Sequence, residues 1–156
     1  MSNSSVTVSR TVAAPVETVW DVATDLEAMP GTMSAIARVE VLTGGDPFDV
    51  GTRWRETRVM MRREATEEMT VTHAERPSSY TVEADNHGVH YVSTFTFTPL
   101  DAVRTEVTLT FSGEPTKPQN PLARAMGRFG LKMVKRELEK DLTDLAAAAE
   151  AAARRG

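Results

Sequence analysis

The chain lacks cysteine entirely and is poor in aromatic residues, which make up 6% of its 156 positions. Without cysteine it has no disulfide framework, no thiolate nucleophile and no cysteine metal site. Its 8 methionines outnumber its 5 phenylalanines, which indicates an interior whose flexible thioether side chains fill irregular gaps. Because a chain without disulfides suits a reducing compartment, we predict a cytoplasmic protein.

The sequence also lacks a long apolar run and an excess of positive charge. No stretch of about 18 apolar residues is present, so we expect no secretory signal, no membrane-spanning helix and no stable membrane insertion. The formal net charge of -4 argues against bulk attraction to nucleic acid. The 3 histidines do not form a convincing ligand set, so we predict no metal and no cofactor.

What the chain does contain is a regular series of strand patterns. Its length of 156 residues fits a single domain over residues 1–156, with residues 1–5 expected to be disordered. Pro15 opens a short predicted helix that runs to about Asp25, and a second helical turn over residues 26–30 stops at Pro30. Alternating β-branched residues predict seven strands, at residues 6–12, 35–43, 51–61, 64–74, 80–85, 89–98 and 103–112.

The last predicted element is a helix from Pro121 to Arg155, rich in strong helix formers. Gly127 and Gly130 each cost about 1 kcal/mol relative to alanine, so we expect a strand or a ligand to approach closely there. They lie beside the apolar stripe of the first half, formed by Leu122, Met126, Phe129 and Met133. In the second half the stripe shifts to Val134, Leu138, Leu142 and Leu145, and we expect the part from Leu138 to Leu145 to pack on the sheet.

The order of these elements predicts an α+β fold. Consecutive strands with short connections favour one antiparallel sheet of seven strands, with the helices on one side. Such a sheet is able to curl around the long C-terminal helix, and the two short helices follow strand 1.

Several short motifs carry a resemblance to a known family. They are APVETVWD at residues 14–21, VGTRW at 50–54, ERP at 75–77, TFTFTP at 94–99, TEVTL at 105–109 and LTDL at 142–145. With this layout the chain resembles the START-like superfamily of SRPBCC type, also described as polyketide cyclase/dehydrase and lipid-transport proteins. The resemblance implies a helix-grip fold with a cavity for an apolar ligand such as a lipid, sterol, polyketide or hormone. Some members catalyse cyclisation or dehydration in that cavity.

Strand parity predicts which side chains face such a cavity. Alternation puts Met69, Val71 and His73 on one face of the fourth strand. The apolar faces of the following strands hold three further sets: Tyr80, Val82 and Ala84; Tyr91, Ser93, Phe95 and Phe97; and Val107, Leu109 and Phe111.

The third strand carries charge on the face of its tryptophan. If Trp54 points inward, Glu56 and Arg58 go with it and act as polar anchors for a ligand's carboxylate, hydroxyl or ketone. The alternatives are a twist near the sheet edge that leaves both charges in water, or an inert ion pair. The predicted ligand-binding residues are Trp54, Glu56, Arg58, Met69, Tyr80, Tyr91, Phe95, Met126, Phe129, Gly130 and Met133.

The histidines give little sign of chemistry. His87 and His90 flank a predicted turn at Gly88 and are expected to be exposed. His73 is a candidate general base, but no serine or carboxylate is visibly spaced to work with it. No catalytic residue follows from the sequence.

The sequence therefore predicts binding of a small hydrophobic molecule, such as a lipid, a polyketide or another aromatic or isoprenoid compound, between sheet and helix. One alternative is a cyclase or dehydratase that uses the same cavity. Another is a protein- or membrane-interaction module with a filled interior. The expected partner is a small molecule and not nucleic acid, and a homodimer is the candidate assembly.

Overall fold

The computed structural model describes the chain at residues 4–86, 88–116 and 121–156, and its side chains at residues 5–86, 88–116 and 130–156. No helix in these ranges is long and apolar enough to span a membrane. The elements in chain order are β1 (Ser4–Val12), α1 (Val16–Ala23), α2 (Met29–Thr32), β2 (Ile36–Thr43), β3 (Arg53–Met60), β4 (Arg63–Glu75), β5 (Ser79–Asn86), β6 (Val89–Asp101), β7 (Arg104–Pro115) and α3 (Pro121–Arg155).

Seven strands form one sheet in the order β1-β7-β6-β5-β4-β3-β2, and all neighbouring strands are antiparallel. From β2 to β7 each strand pairs with the next along the chain. β1 instead pairs with β7, with Val8 opposite Leu109. α3 packs against β1 and α1. The predicted α+β architecture of a sheet around a long C-terminal helix is confirmed.

The second half of α3 contributes buried leucine side chains to the apolar core. On this helix Leu138, Leu142 and Leu145 are buried, as the shifted stripe predicts. Phe97 of β6 and Leu109 of β7 belong to the same apolar cluster. Burial of one such side chain contributes about 1.5–3 kcal/mol, so this half of the helix is held firmly on the sheet. These five residues are named the packed end.

β4 contains an irregularity that reverses the facing of its last residues. Its register with β5 shifts between Val71 and His73, so one extra residue interrupts the alternation. Val71 is 1% exposed, whereas the side chain of His73 is 53% exposed. The prediction that His73 faces the interior is therefore wrong, and the candidate general base is not in the cavity region.

The second short helix begins and ends later than predicted. α2 covers Met29–Thr32 and includes Pro30 and Gly31, which we expected to stop it. Pro30 lies in the first turn, where the absence of its N–H leaves no intrahelical hydrogen bond unmade. Leu26, expected to be helical, precedes α2 and is buried in the core.

Candidate functional site

β3 carries three alternating side chains on the interior side of the sheet. Trp54 is 3% exposed and Glu56 is 8% exposed, while Arg58 is half-buried. β2 and β4 flank the strand on its two edges, so the side-chain alternation of a paired strand holds here. Glu56 and Arg58 follow Trp54 inward as predicted, and the alternative that leaves both in water is wrong.

Arg58 connects the sheet to the long helix. Its Nη1 donates to both carboxylate oxygens of Asp141, at 3.1 Å to Oδ1 and 3.0 Å to Oδ2. Its Nη2 donates to Glu56 Oε2 at 3.5 Å, and Trp54 Nε1 donates to Glu56 Oε1 at 3.2 Å. Glu137 acts on Arg58 through its charge. Glu56, Arg58, Glu137 and Asp141 are named the polar cluster.

Asp141 is not among the predicted site residues, although its position in the sequence of α3 indicates that it is buried. It lies three residues after Leu138 and directly before Leu142, inside the buried stripe. A carboxylate at such a position is rarely buried without a partner, so it indicates a cation in the interior. Periodicity does not identify that cation, because Arg58 is 83 residues away along the chain.

Burial dominates the electrostatics of the polar cluster. Desolvation raises the pKa of Asp141 to about 6, although the charge of Arg58 opposes this and the charges of Glu56 and Glu137 add to it. Burial also disfavours the charged form of Arg58, but Asp141 and Glu56 outweigh it and raise the pKa of the guanidinium. The cluster thus holds a fixed cation beside a carboxyl group that exchanges its proton near neutral pH.

Glu137 brings a third carboxyl group to the cluster, one helical turn before Asp141. Its charge acts on both Arg58 and Asp141. Its Oε2 atom is buried and has no hydrogen-bond partner in the described part of the chain. Since buried polar atoms are nearly always hydrogen-bonded, this oxygen is unusual for a folded interior.

Tyr80 forms the aromatic side of the site. Its ring stacks on Phe95 with 4.8 Å between centroids, and it meets the Trp20 ring edge-on at 5.7 Å. Burial, together with the charges of Glu56 and Asp141, raises the pKa of the Tyr80 hydroxyl far above its ordinary value. Tyr80 therefore remains a neutral hydroxyl at physiological pH.

Another part of the interior face is only half-buried. On the neighbouring strands β6 and β7, Tyr91 and Phe111 stack with 5.4 Å between ring centroids. Ser93 lies opposite Phe111 in the strand register. This surface is named the half-buried wall and consists of Met69, Tyr91, Ser93, Phe95 and Phe111. All five have the interior parity of their strands, and all retain some exposure.

The predicted ligand residues in the first half of α3 differ in outcome. Met126 and Phe129 lie outside the described side chains. Gly130 and Met133 are half-buried, and a Cβ atom added at Gly130 would meet nothing within 4 Å. Within the described residues no strand approaches Gly130 closely, so the expectation of a strand there is wrong for Gly130. Gly127 lies outside the described side chains.

A pocket of about 650 Å³ opens elsewhere, between α1 and the β2–β3 connection. Carboxylate side chains and Arg76 line much of it, and Arg76 Nη2 lies 2.8 Å from Asp21 Oδ1. Its apolar residues include Trp20 and Leu26, which are themselves buried. None of the predicted ligand residues that the structure describes lines this pocket. The interior face of the sheet is therefore the better candidate site for an apolar molecule.

His90 lies on the outer face of the sheet, within β6. Its Nδ1 is 2.7 Å from Asp85 Oδ1 and its Nε2 is 2.6 Å from Glu83 Oε1. These hydrogen bonds raise the pKa of His90. The expectation of an exposed turn histidine is wrong for His90, and His87 lies outside the described residues. Among the side chains that are described, no three histidine, aspartate or glutamate residues are grouped to hold a metal ion.

Comparison with known proteins identifies the family. The family model for polyketide cyclase / dehydrase and lipid transport matches residues 4–150. The chain belongs to this family. The resemblance drawn from the short motifs is thereby confirmed over nearly the whole chain. No curated protein matches the sequence.

Solved structures with this fold are similar at low sequence identity. A Thermus thermophilus protein is 22% identical with a TM-score of 0.79, over 96% of this chain and 99% of that one. The ZhuI aromatase/cyclase from a Streptomyces species is 21% identical with a TM-score of 0.80, over 96% and 94%. Norcoclaurine synthase from Thalictrum flavum, in complex with dopamine and hydroxybenzaldehyde, is 13% identical with a TM-score of 0.72, over 94% and 86%. Likeness at these identities establishes the fold and not the activity.

Proposed function

We propose that this protein binds a small apolar molecule between the half-buried wall and the first half of α3. The half-buried wall is the observation that supports this most. Tyr91, Phe95 and Phe111 lie on the interior side of the sheet, yet they are less covered than the residues of the packed end. Concave apolar surface of this kind is typical of ligand sites. The family description, which includes lipid transport, is consistent with this function.

The binding free energy has an apolar and a polar source. Burial of apolar ligand surface contributes about 25 cal/mol per Å² before the cost of ordering the ligand. Polar groups then orient the molecule, and the candidates are the polar cluster and the Tyr80 hydroxyl. Small-molecule sites commonly combine a few polar groups with apolar walls in this way.

A bulky side chain on the half-buried wall tests the proposal. In Ser93→Trp the indole fills the space beside Phe111, so the neutral fluorescent probe 1-N-phenylnaphthylamine should bind roughly tenfold more weakly. The matched control is Thr96→Trp, because Thr96 is exposed on the other face of the same strand. Circular dichroism verifies that both variants are folded. Equal affinity in both variants, or no binding to the unchanged protein, would overturn the proposal and favour an interaction module with a filled interior.

The polar cluster favours a second candidate, an acid–base enzyme such as a cyclase or dehydratase. Burial raises the pKa of Asp141 to about 6, and Arg58 lies 3.0 Å from its Oδ2. A pair of this kind suits proton exchange with a bound carbonyl compound. Asp141→Asn distinguishes the candidates with a polyketide-like ketone as substrate. If the protein is an enzyme, the variant loses turnover of the ketone but still binds it. If the protein is a carrier, neither the unchanged protein nor the variant turns the ketone over.

A further inference from the structure

The unpartnered oxygen of Glu137 lies where the interior changes character. Along α3, residues 130–134 are half-buried or exposed, while Leu138, Asp141 and Leu142 are buried. Glu137, itself half-buried, stands at the boundary between these two stretches. It is therefore next to the part of the helix that the proposed ligand would contact.

The other members of the polar cluster already have partners. Arg58 directs Nη1 to Asp141 and Nη2 to Glu56, and Glu56 also accepts a hydrogen bond from Trp54. Glu137 Oε2 is buried and has no partner within the described residues. A buried acceptor without a donor has lost its hydration and gained nothing in exchange. A bound molecule that brings a donor to this oxygen removes that penalty.

The charge of the cluster selects the kind of polar group that can approach. Glu56, Glu137 and Asp141 supply three carboxyl groups around the single guanidinium of Arg58. The cluster therefore has more acceptors and more negative charge than one cation balances. In an interior of low dielectric constant an incoming carboxylate is repelled, whereas a hydroxyl or amino group is attracted.

We propose that Glu137 is a specificity-determining residue whose Oε2 accepts a hydrogen bond from a hydroxyl or amino group of the bound molecule. The ligand class that fits is an apolar compound that carries a hydrogen-bond donor and no carboxylate. This inference rests on the proposed binding function and adds the chemistry of the ligand's polar end.

Three naphthalene compounds with nearly equal apolar bulk test the inference. The compound 2-naphthol carries a donor, 2-methoxynaphthalene carries only an acceptor, and 2-naphthoate carries a negative charge. The first should bind roughly tenfold more tightly than the second, because its hydroxyl donates a hydrogen bond to Glu137 Oε2. The naphthoate should bind most weakly. Equilibrium dialysis measures the three affinities.

Substitution of Glu137 locates the effect. Glu137→Met removes the acceptor and keeps a long side chain with good helix propensity, so the preference for 2-naphthol over 2-methoxynaphthalene should disappear. The matched control is Glu139→Met, since Glu139 is an exposed glutamate on the same helix, and it should keep the preference. If Glu137 had only a structural role, its substitution would weaken all three compounds together.

The outcomes separate this inference from the function on which it rests. If the three compounds bind equally to the unchanged protein, or if Glu137→Met keeps the preference, the role of Glu137 is wrong while binding stands. A preference for 2-naphthoate also overturns the inference and assigns the ligand's polar end to Arg58. If none of the compounds binds, the proposed function fails as well.

Discussion

The interior face of the sheet has two regions that differ in how completely they are covered. The packed end and the half-buried wall share the strands β6 and β7. β6 supplies Phe97 to the packed end and Tyr91 to the wall, and β7 supplies Leu109 and Phe111 respectively. Strand alternation therefore determines which face a side chain occupies but not how deeply it is buried. Its depth depends on what packs against it: Phe97 meets the Trp20 ring of α1 edge-on with 5.8 Å between centroids, and it belongs to the same apolar cluster as three leucines of α3.

Truncation of a buried side chain in the packed end should have the largest effect on stability. Leu145 is 0% exposed, so Leu145→Ala leaves a cavity and should lower the free energy of unfolding by about 2–5 kcal/mol. Urea denaturation followed by tryptophan fluorescence measures the loss. A loss below about 1 kcal/mol would mean that this contact does not hold the helix on the sheet.

The polar cluster should make stability depend on pH. Burial raises the pKa of Asp141 to about 6 in the folded protein, against about 3.9 for a free aspartate. The stability that Asp141 contributes through this raised pKa is fully present below about pH 4 and is lost as the pH rises through 6. The free energy of unfolding falls by up to roughly 3 kcal/mol over this range. Asn at this position does not ionise, so the unfolding free energy of the unchanged protein should fall relative to that of Asp141→Asn. A constant difference between about pH 4 and pH 8 contradicts the raised pKa.

Truncation of the half-buried wall should reduce binding more than stability. Phe111 keeps part of its surface exposed, so Phe111→Ala should lower the free energy of unfolding by only about 1–2 kcal/mol. The affinity for 1-N-phenylnaphthylamine should fall roughly tenfold, because apolar contact with the ligand is lost. Unchanged affinity, with a stability loss as large as that of Leu145→Ala, would show that both regions are ordinary core.

The smallest effect should come from an ion pair on the solvent side of the sheet. Arg38 Nη2 lies 3.2 Å from Glu64 Oε1, and both side chains are more than half exposed. Glu64→Ala should therefore change the free energy of unfolding by no more than about 0.5 kcal/mol. Urea denaturation under the same conditions provides the measurement. A loss of unfolding free energy above about 1 kcal/mol would mean that this exposed ion pair matters for stability as the buried polar cluster does.

Most of the fold follows from local sequence patterns. β-branched alternation and turn residues predict the strands. Parity places Trp54, Glu56 and Arg58 on one face of their strand, and the structure shows that this is the interior face. The pattern fails at His73, because one extra residue in β4 reverses the facing and no residue type marks that position. A bulge is decided by the pairing of two strands and is not visible in one of them.

The candidate site is less accessible to sequence reasoning. Arg58 is predicted as an anchor, but its partner Asp141 is 83 positions away, and pairing over such a separation leaves no local pattern. Parity likewise places Tyr91 and Phe97 on one face without separating the half-buried ring from the buried one. That difference is tertiary, since it depends on which residues of other elements cover each ring, and Phe97 is met edge-on by Trp20 of α1.

The pairing of β1 with β7 also has a consequence for how the chain is completed during synthesis. Among the seven strands β1 is made before the others, yet its neighbour in the sheet is the last of them, with Val12 opposite Thr105 and Ser4 opposite Gly113. A nascent chain that ends before β7 leaves β1 without this partner, and unpaired strands are prone to associate with other chains. The seven-stranded sheet is therefore complete only when β7 has been made.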